Sequence, residues 1–256
     1  VTPTVSRLAI TPVKGLGLLA PDRIDLGLEG VPGNRRFYLV GEDGRLFSGL
    51  DHGPLVRVVP SYEPDGERLA LRFPDGHVVD GEVELGEAKV TAFWERPVRG
   101  RYVEGPWSDA LSDYVGKWLR LIRVDDEQTG YDSHPVSILG DASVEELARR
   151  SGADGGIDAR RFRMLVHVAG TGPHEEDEWI GRRVRIGEAS VRVVEQNARC
   201  ATTTHNPDSG RRDFDALRQI ADYRGLRDGK RIDFGVLAEV EEPGRIRVGD
   251  PVDVEA

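Results

Sequence analysis

The chain holds one cysteine, Cys200, in the run Glu195-Gln196-Asn197-Ala198-Arg199-Cys200-Ala201-Thr202-Thr203-Thr204. With no second cysteine an intrachain disulfide is excluded. Three roles remain for the sulfur: a small buried hydrophobe, a nucleophile or sulfur carrier, or a thiolate ligand to a soft metal centre. Arg199 places a positive charge beside it, and Thr202 and Thr203 offer hydroxyl donors. Both features suit a thiolate next to a bound anion, and neither is needed by a filler.

Basic residues gather at the ends of strand-like runs. Lys14 follows the apolar stretch 8–13, Asn34-Arg35-Arg36 precedes the stretch 36–40, and Arg160-Arg161-Phe162-Arg163 opens another. A guanidinium donates two parallel bonds to a phosphate or carboxylate, so arginines at strand ends suit an anion pocket. The competing reading is that each is a surface arginine paired with one of the many acids.

Other chemistry finds less support. Gly15-Leu16-Gly17-Leu18-Leu19-Ala20 fits the loose dinucleotide fingerprint, but Pro21 and Asp22 follow where a helix must open to hold a pyrophosphate. The histidines, at 52, 77, 134, 167, 174 and 205, lack the short spacings of a zinc site. His174 beside Glu175-Glu176-Asp177-Glu178 reads as a solvated loop. No nucleophile-elbow motif supports a serine triad.

The elements that must position these groups read as short strands broken by turns. Residues 5–13, 24–26, 36–40, 45–48, 56–62, 68–73 and 89–93 are apolar or alternating. Gly41-Glu42-Asp43-Gly44, Glu63-Pro64-Asp65-Gly66 and Pro74-Asp75-Gly76 between them are hairpin-type connections. A helix is predicted from Ser108, as cap, through Leu111, Tyr114, Val115 and Trp118. The polar run Asp125-Asp126-Glu127-Gln128-Thr129-Gly130 marks a boundary. Beyond it come a strand at 136–139 and a helix at 144–150, capped by Asp141 or Ser143 and ended by Gly152. Strands at 162–168, 183–186 and 191–195, a helix at 214–223, and closing strands at 234–240 and 245–248 complete the pattern. There is no internal repeat.

At 256 residues the chain has room for one large or two modest domains. A net charge of −10 argues against unspecific nucleic-acid binding, which needs a basic surface. No apolar run approaches a membrane span, and no secretory pattern opens the sequence. With its one cysteine, the chain is expected in a reducing cytoplasm.

The pieces together resemble a known family. Thr11-Pro12-Val13-Lys14-Gly15, Gly33-Asn34-Arg35-Arg36-Phe37, Asp141-Ala142-Ser143-Val144-Glu145-Glu146-Leu147, Ile157 through Arg163, Ala198 through Thr203 with Asn206-Pro207-Asp208-Ser209-Gly210, and the Pro243–Val252 ending are similar to MOSC-domain proteins. These are named for the C-terminal domain of molybdenum cofactor sulfurase. In particular they are similar to those carrying an N-terminal β-barrel, such as the mitochondrial amidoxime-reducing components and their bacterial relatives. The resemblance covers nearly the whole chain.

It implies a β-rich α+β fold, with an N-terminal β-barrel domain over residues 1–125 and a MOSC β-barrel domain with peripheral helices over 126–256. It implies a molybdopterin-type molybdenum cofactor between the two, with Cys200 as catalytic residue and ligand to molybdenum. Lys14, Gly15, Arg35, Arg163, Arg199, Thr202 and Thr203 would line the cofactor site. The implied activity is reduction of small N-hydroxylated or N-oxide compounds, independent of pyridoxal phosphate. Electrons would come from a separate donor protein, since no cysteine set for an iron–sulfur cluster and no flavin motif is present. No nucleic acid and no membrane takes part. Two alternatives are a sulfur-transfer protein carrying a persulfide on Cys200 and a non-catalytic cofactor-binding protein. The chain departs from the family pattern in Gly15 where serine is common, Asn34 for aspartate, Leu50 for arginine, and Met164-Leu165 for Pro-Asn.

Overall fold

The computed structural model describes residues 2–94, 96–125 and 130–255. Its first half contains β1 (Thr4–Leu8), β2 (Arg23–Leu26), β3 (Phe37–Val40), β4 (Leu46–Phe47), β5 (Val59–Glu63), β6 (Arg68–Arg72), β7 (Val78–Glu82), β8 (Glu84–Phe93), β9 (Arg96–Glu104), α1 (Trp107–Val115) and β10 (Arg120–Val124). The second half contains β11 (Val136–Gly140), α2 (Asp141–Ser151), β12 (Val166–Ala169), β13 (Arg183–Ile186), β14 (Ala189–Ala198), α3 (Ala216–Arg224), β15 (Asp233–Glu242), β16 (Gly244–Arg247) and β17 (Val252–Val254). The fold is β-rich α+β, as the sequence implies.

Two barrel-like units result. In the first, the sheet β4-β3-β10-β9-β8 is joined edge to edge where Arg45 bridges Ala92. Alternate residues of β3 face opposite ways: Tyr38 and Val40 meet Phe93 and Ile122 on one side, while Phe37 and Leu39 pack with Leu121, Leu69 and Trp107 on the other. The small sheet β5-β6-β7 and helix α1 cover that second side. The two-residue alternation of β6, with Leu69 and Leu71 buried between exposed Arg68 and Arg72, supplies its cover.

The second unit is the sheet β1-β12-β11-β15-β14-β13-β17. Its two ends meet. The Val5 amide donates to the Asp250 carbonyl (2.9 Å), the Gly249 amide to Val5 (2.7 Å) and the Val252 amide to Pro3 (2.8 Å). Closure leaves no long unpaired edge and encloses Val5, Leu8, Ile138, Val166, Val191 and Val236. The β2–β16 ribbon packs Ile24 and Ile246 onto the same core. The second sheet therefore draws strands from both sides of residue 125.

Several local expectations change. Four strands, β7, β9, β10 and β17, were not legible, β10 because it ends at the polar run taken for a boundary. Residues 126–129 of that run lie outside the described residues. Ser108 does not cap α1; it is buried inside the first turn, where its hydroxyl accepts from the Leu121 amide (3.1 Å). Trp118 lies beyond the helix and is exposed. Neither Asp141 nor Ser143 caps α2. The Ser143 hydroxyl instead meets both oxygens of the buried Glu176 carboxylate at 2.8 and 2.9 Å. Burial pushes that carboxyl above its usual range. The strand expected at 162–168 begins only at Val166. Asp158 accepts from the Arg160 amide (2.9 Å) and winds residues Ala159–Phe162 into a 3₁₀ turn instead.

Candidate functional site

The segment leaving β1 crosses from the second barrel to the first. The Arg35 amide donates to Thr11 (2.7 Å), the Phe37 amide to Pro12 (2.9 Å) and the Lys14 amide to Phe37 (2.8 Å). Asn34 accepts from the Thr11 amide through Oδ1 (2.9 Å), which gives this departure from the family pattern a structural task. Lys14 and Arg35 thus issue from two stretches of backbone stitched together. Their side chains converge on Asp132, with Lys14 Nζ at 2.9 Å and Arg35 Nη1 at 3.6 Å.

The second barrel contributes from two loops. Arg163 ends the 3₁₀ turn before β12, and its Nη2 donates across the gap to the Leu16 carbonyl (2.7 Å). Arg35 returns a contact to the Arg163 carbonyl (3.4 Å). Arg199 and Cys200 continue β14. Arg199 Nη2 donates to the Phe162 carbonyl and Nη1 reaches Met164 Sδ at 3.3 Å, while its Nε is buried with no partner among the described residues. Cys200 is exposed, and its thiol lies 3.4 Å from Thr202 Oγ1.

Lys14, Gly15, Arg35, Arg163, Arg199, Cys200 and Thr202 line one cleft between the barrels. Thr203 does not join them. It is buried, and its hydroxyl donates to the Cys200 carbonyl (2.9 Å), tying the turn that presents the sulfur. Gly15 has φ +89, a conformation costly for any L side chain, so the absence of serine there follows from the backbone. Leu50 is not part of the cleft wall, which is made there by Ser48 and Gly49. Met164 is buried beneath the site, where its sulfur meets both Arg199 and Asn197.

Two wall residues went unread in the sequence. Asp132 sits in the turn before β11, and Trp94 at the tip of the β8–β9 hairpin donates to it through Nε1 (2.6 Å). The only sequence signal for Asp132 is its place in the turn-rich run Tyr131-Asp132-Ser133-His134-Pro135. Six non-glycine residues among those described have positive φ, and three of them, Arg35, Trp94 and Arg163, line this cleft. Such conformations cost on the order of 1–3 kcal/mol each and gather where function over-determines the backbone.

Electrostatics defines what the cleft accepts. Lys14, Arg35, Arg163 and Arg199 gather around Asp132, while Arg161, also in the wall, is held by Asp213 at 2.7 Å. Burial, aided by neighbouring Arg35, lowers Lys14 to about 8 against the pull of Asp132. Burial likewise lowers Arg163 and Arg199 to about 10. A negative charge on the Cys200 sulfur would act on both guanidiniums in the opposite sense. Burial pushes Asp132 up, but Lys14 and Arg35 prevail and hold it at about 2. Its side chain is 54% exposed, so water screens this attraction. The nest is short of negative charge in a chain that is otherwise acidic. An anion rich in acceptor oxygens would relieve it.

The exposed sulfur opens onto the same space. Among the described residues no group of three or more His, Cys, Asp or Glu side chains is placed to hold a metal ion. His134, also in the cleft wall, lies between Glu195 (3.5 Å) and Glu239 (3.6 Å). No helix among the described residues is long and apolar enough to cross a membrane.

Comparison with known proteins follows the same lines. The family model of the MOSC domain matches residues 125–253. The chain is similar to mitochondrial amidoxime-reducing component 1 of Mus musculus, at 27% identity over 97% of this chain and 81% of that protein. It is equally similar to molybdenum cofactor sulfurase of Caenorhabditis briggsae, at 27% identity over 95% of this chain, but it spans only 34% of that longer protein. Among solved structures, the YUAD protein from Bacillus subtilis aligns with 99% of this chain and 96% of its own at 14% identity and a TM-score of 0.49.

Proposed function

The chain belongs to the MOSC domain family, and from that membership we propose that it binds a molybdopterin-type molybdenum cofactor and reduces small N-hydroxylated or N-oxide compounds. The carrying observation is the cation-rich nest around the exposed Cys200 sulfur. Lys14, Arg35 and Arg163 would hold the pterin phosphate, for which the surplus positive charge and the unpartnered Arg199 Nε are suited. Cys200 would be the protein's thiolate to the metal, a soft donor matched to molybdenum. Gly15 and Thr202 would form wall, and Thr203 would act by fixing the Cys200 turn.

When bound, the molybdenum centre supplies the redox change for which no protein side chain here has the capacity. The overall reduction takes two electrons and two protons, breaks the N–O bond and releases water. The chain's own share is to hold the cofactor, expose the sulfur, and keep the nest dry by burying the arginines. Electrons would come from a separate donor protein, and we place the activity in the cytoplasm. The two barrels are the proposed domains, with residues 4–8 and 23–26 assigned by hydrogen bonding to the second.

A second reading, sulfur transfer with a persulfide on Cys200, is favoured by the sulfur's exposure beside the Thr202 hydroxyl and by the sulfurase relative. Metal and pterin analysis of protein purified from a host that makes molybdopterin decides between them. Stoichiometric molybdenum lost in Cys200→Ala supports the reductase. Metal-free protein that accumulates a persulfide supports transfer.

A further inference from the structure

A second hollow adjoins the cleft and shares Leu18, Arg161, Arg163 and Thr202 with it. Its volume is about 330 Å³, the size of a small organic molecule rather than of a few waters. It lies between the barrels, with Val56, Arg57, Val59 and Pro74 from the first and Arg160, His205, Pro207 and Asp208 from the second. Thr202, the residue in contact with the Cys200 sulfur, is the partition between the two spaces.

The walls have a definite chemistry. Leu18, Val56, Val59, Pro74 and Pro207 give it apolar surface. Of its charged residues, most are already satisfied. Asp208 meets Arg160 at 2.9 and 3.0 Å, Arg160 also meets Asp158, and Arg161 meets Asp213 at 2.7 Å. Arg57 differs. It ends the 3₁₀ turn Gly53–Arg57, is exposed, and has no carboxylate within ion-pair distance among the described residues. Arg57 also lines a neighbouring hollow together with Asp75 and Asp113, neither of which is within ion-pair distance of it.

We propose that this hollow is the substrate subsite of the thiol cleft, and that it selects N-oxygenated compounds with an apolar body and a carboxylate, the carboxylate binding Arg57. The inference rests on the reductase reading for what happens at the sulfur, but the binding preference stands on the hollow itself. An apolar body fills the Val56–Pro74–Pro207 walls and excludes water. The carboxylate then meets a guanidinium that no protein acid has claimed, and the N–O group is directed past Thr202 toward the sulfur.

The test uses two probes, benzamidoxime and its 4-carboxylate, titrated by calorimetry into the purified holoprotein, with initial rates measured in parallel. A charge-assisted contact predicts that the carboxylate binds about tenfold or more tightly than the neutral probe. Arg57→Gln should abolish that difference and Arg57→Glu should reverse it. Neither should change the pterin content or the unfolding midpoint. Equal affinity of the two probes in the wild type, or a carboxylate preference that survives Arg57→Glu, overturns the proposal. Binding is read without turnover, so the two readings fail separately. An inactive protein with an Arg57-dependent preference loses the reductase reading alone, and an active protein with no preference loses the subsite alone.

Discussion

Cys200 and Lys14 carry the predictions that belong to single residues. In Cys200→Ser the hydroxyl nearly matches the thiol in size but is a hard donor. Molybdenum content and reduction rate should fall by two orders of magnitude or more, while the unfolding midpoint stays within a degree or two because the side chain is exposed. Metal analysis, activity and thermal melts check the three parts. Lys14 makes a pH prediction for the cofactor-free protein. Its folded pKa, about 8, lies below the ordinary lysine value of 10.5, so between these values the unfolded chain holds a proton that the folded chain has lost. Stability should therefore rise with pH across that window, by an amount on the order of 3 kcal/mol. Denaturant titrations at pH 7.5 and 10.5 should show the rise in wild type and its loss in Lys14→Met. Asp132 gives the same sign in an acidic window: its depressed pKa lends stability above about 4 that is lost as pH falls through about 2. Residue types drew attention to Cys200 and to the basic runs around Lys14, Arg35 and Arg163, and the family resemblance singled those three cations out. The left-handed backbone at Arg35 and Arg163 was not, because neither type prefers it and only tertiary contacts hold it there. Asp132 was hidden for a related reason, since a lone acid in a turn gains meaning only when two distant cations arrive.

At the scale of elements, the loop after Cys200 is held by a backbone-to-backbone contact. A Cβ on Gly210 would collide with the Gly53 backbone, and one on Gly53 with the Gly210 carbonyl. Gly210 also has φ +70. Gly210→Ala should cost about 1–3 kcal/mol and loosen the turn that carries the sulfur, read as a lower denaturation midpoint and faster alkylation of Cys200. Ser143 offers a second element-level test. Removing its hydroxyl in Ser143→Ala strips a donor from the buried Glu176 carboxylate, with an expected loss of about 1–3 kcal/mol in denaturant titrations. The helices were readable from their apolar spacing, and α1 and α2 end at Gly116 and Gly152 in the left-handed form such ends favour. Their beginnings were misread because the expected capping side chains found tertiary partners instead.

For the whole molecule, the division of labour between the barrels does not follow the order of the chain. A fragment covering 126–256 lacks β1 and β2, and with them the buried Val5, Leu8, Ile24 and Leu26. Each such side chain is worth about 1.5–3 kcal/mol, so their loss approaches the whole stability of an ordinary domain. The fragment should show no cooperative melt, whereas the same fragment with residues 1–30 supplied as a peptide should regain one. That the fold is β-rich was legible from the hairpin signals, and its two barrels were implied by the family resemblance. That the first strand belongs with the second barrel was not, since strand pairing across such a separation leaves no local trace. The meeting of β1 with residues 249–252 has a consequence for how the protein is made. Residue 4 is synthesised long before its neighbours on either side, and loop closure over that distance is slow. Until it happens, Lys14 and Arg35 sit on one half of a nascent chain and the sulfur on the other. On the proposed function, cofactor capture would thus be a late event, and a cell short of molybdopterin should accumulate folded, empty protein rather than unfolded chains.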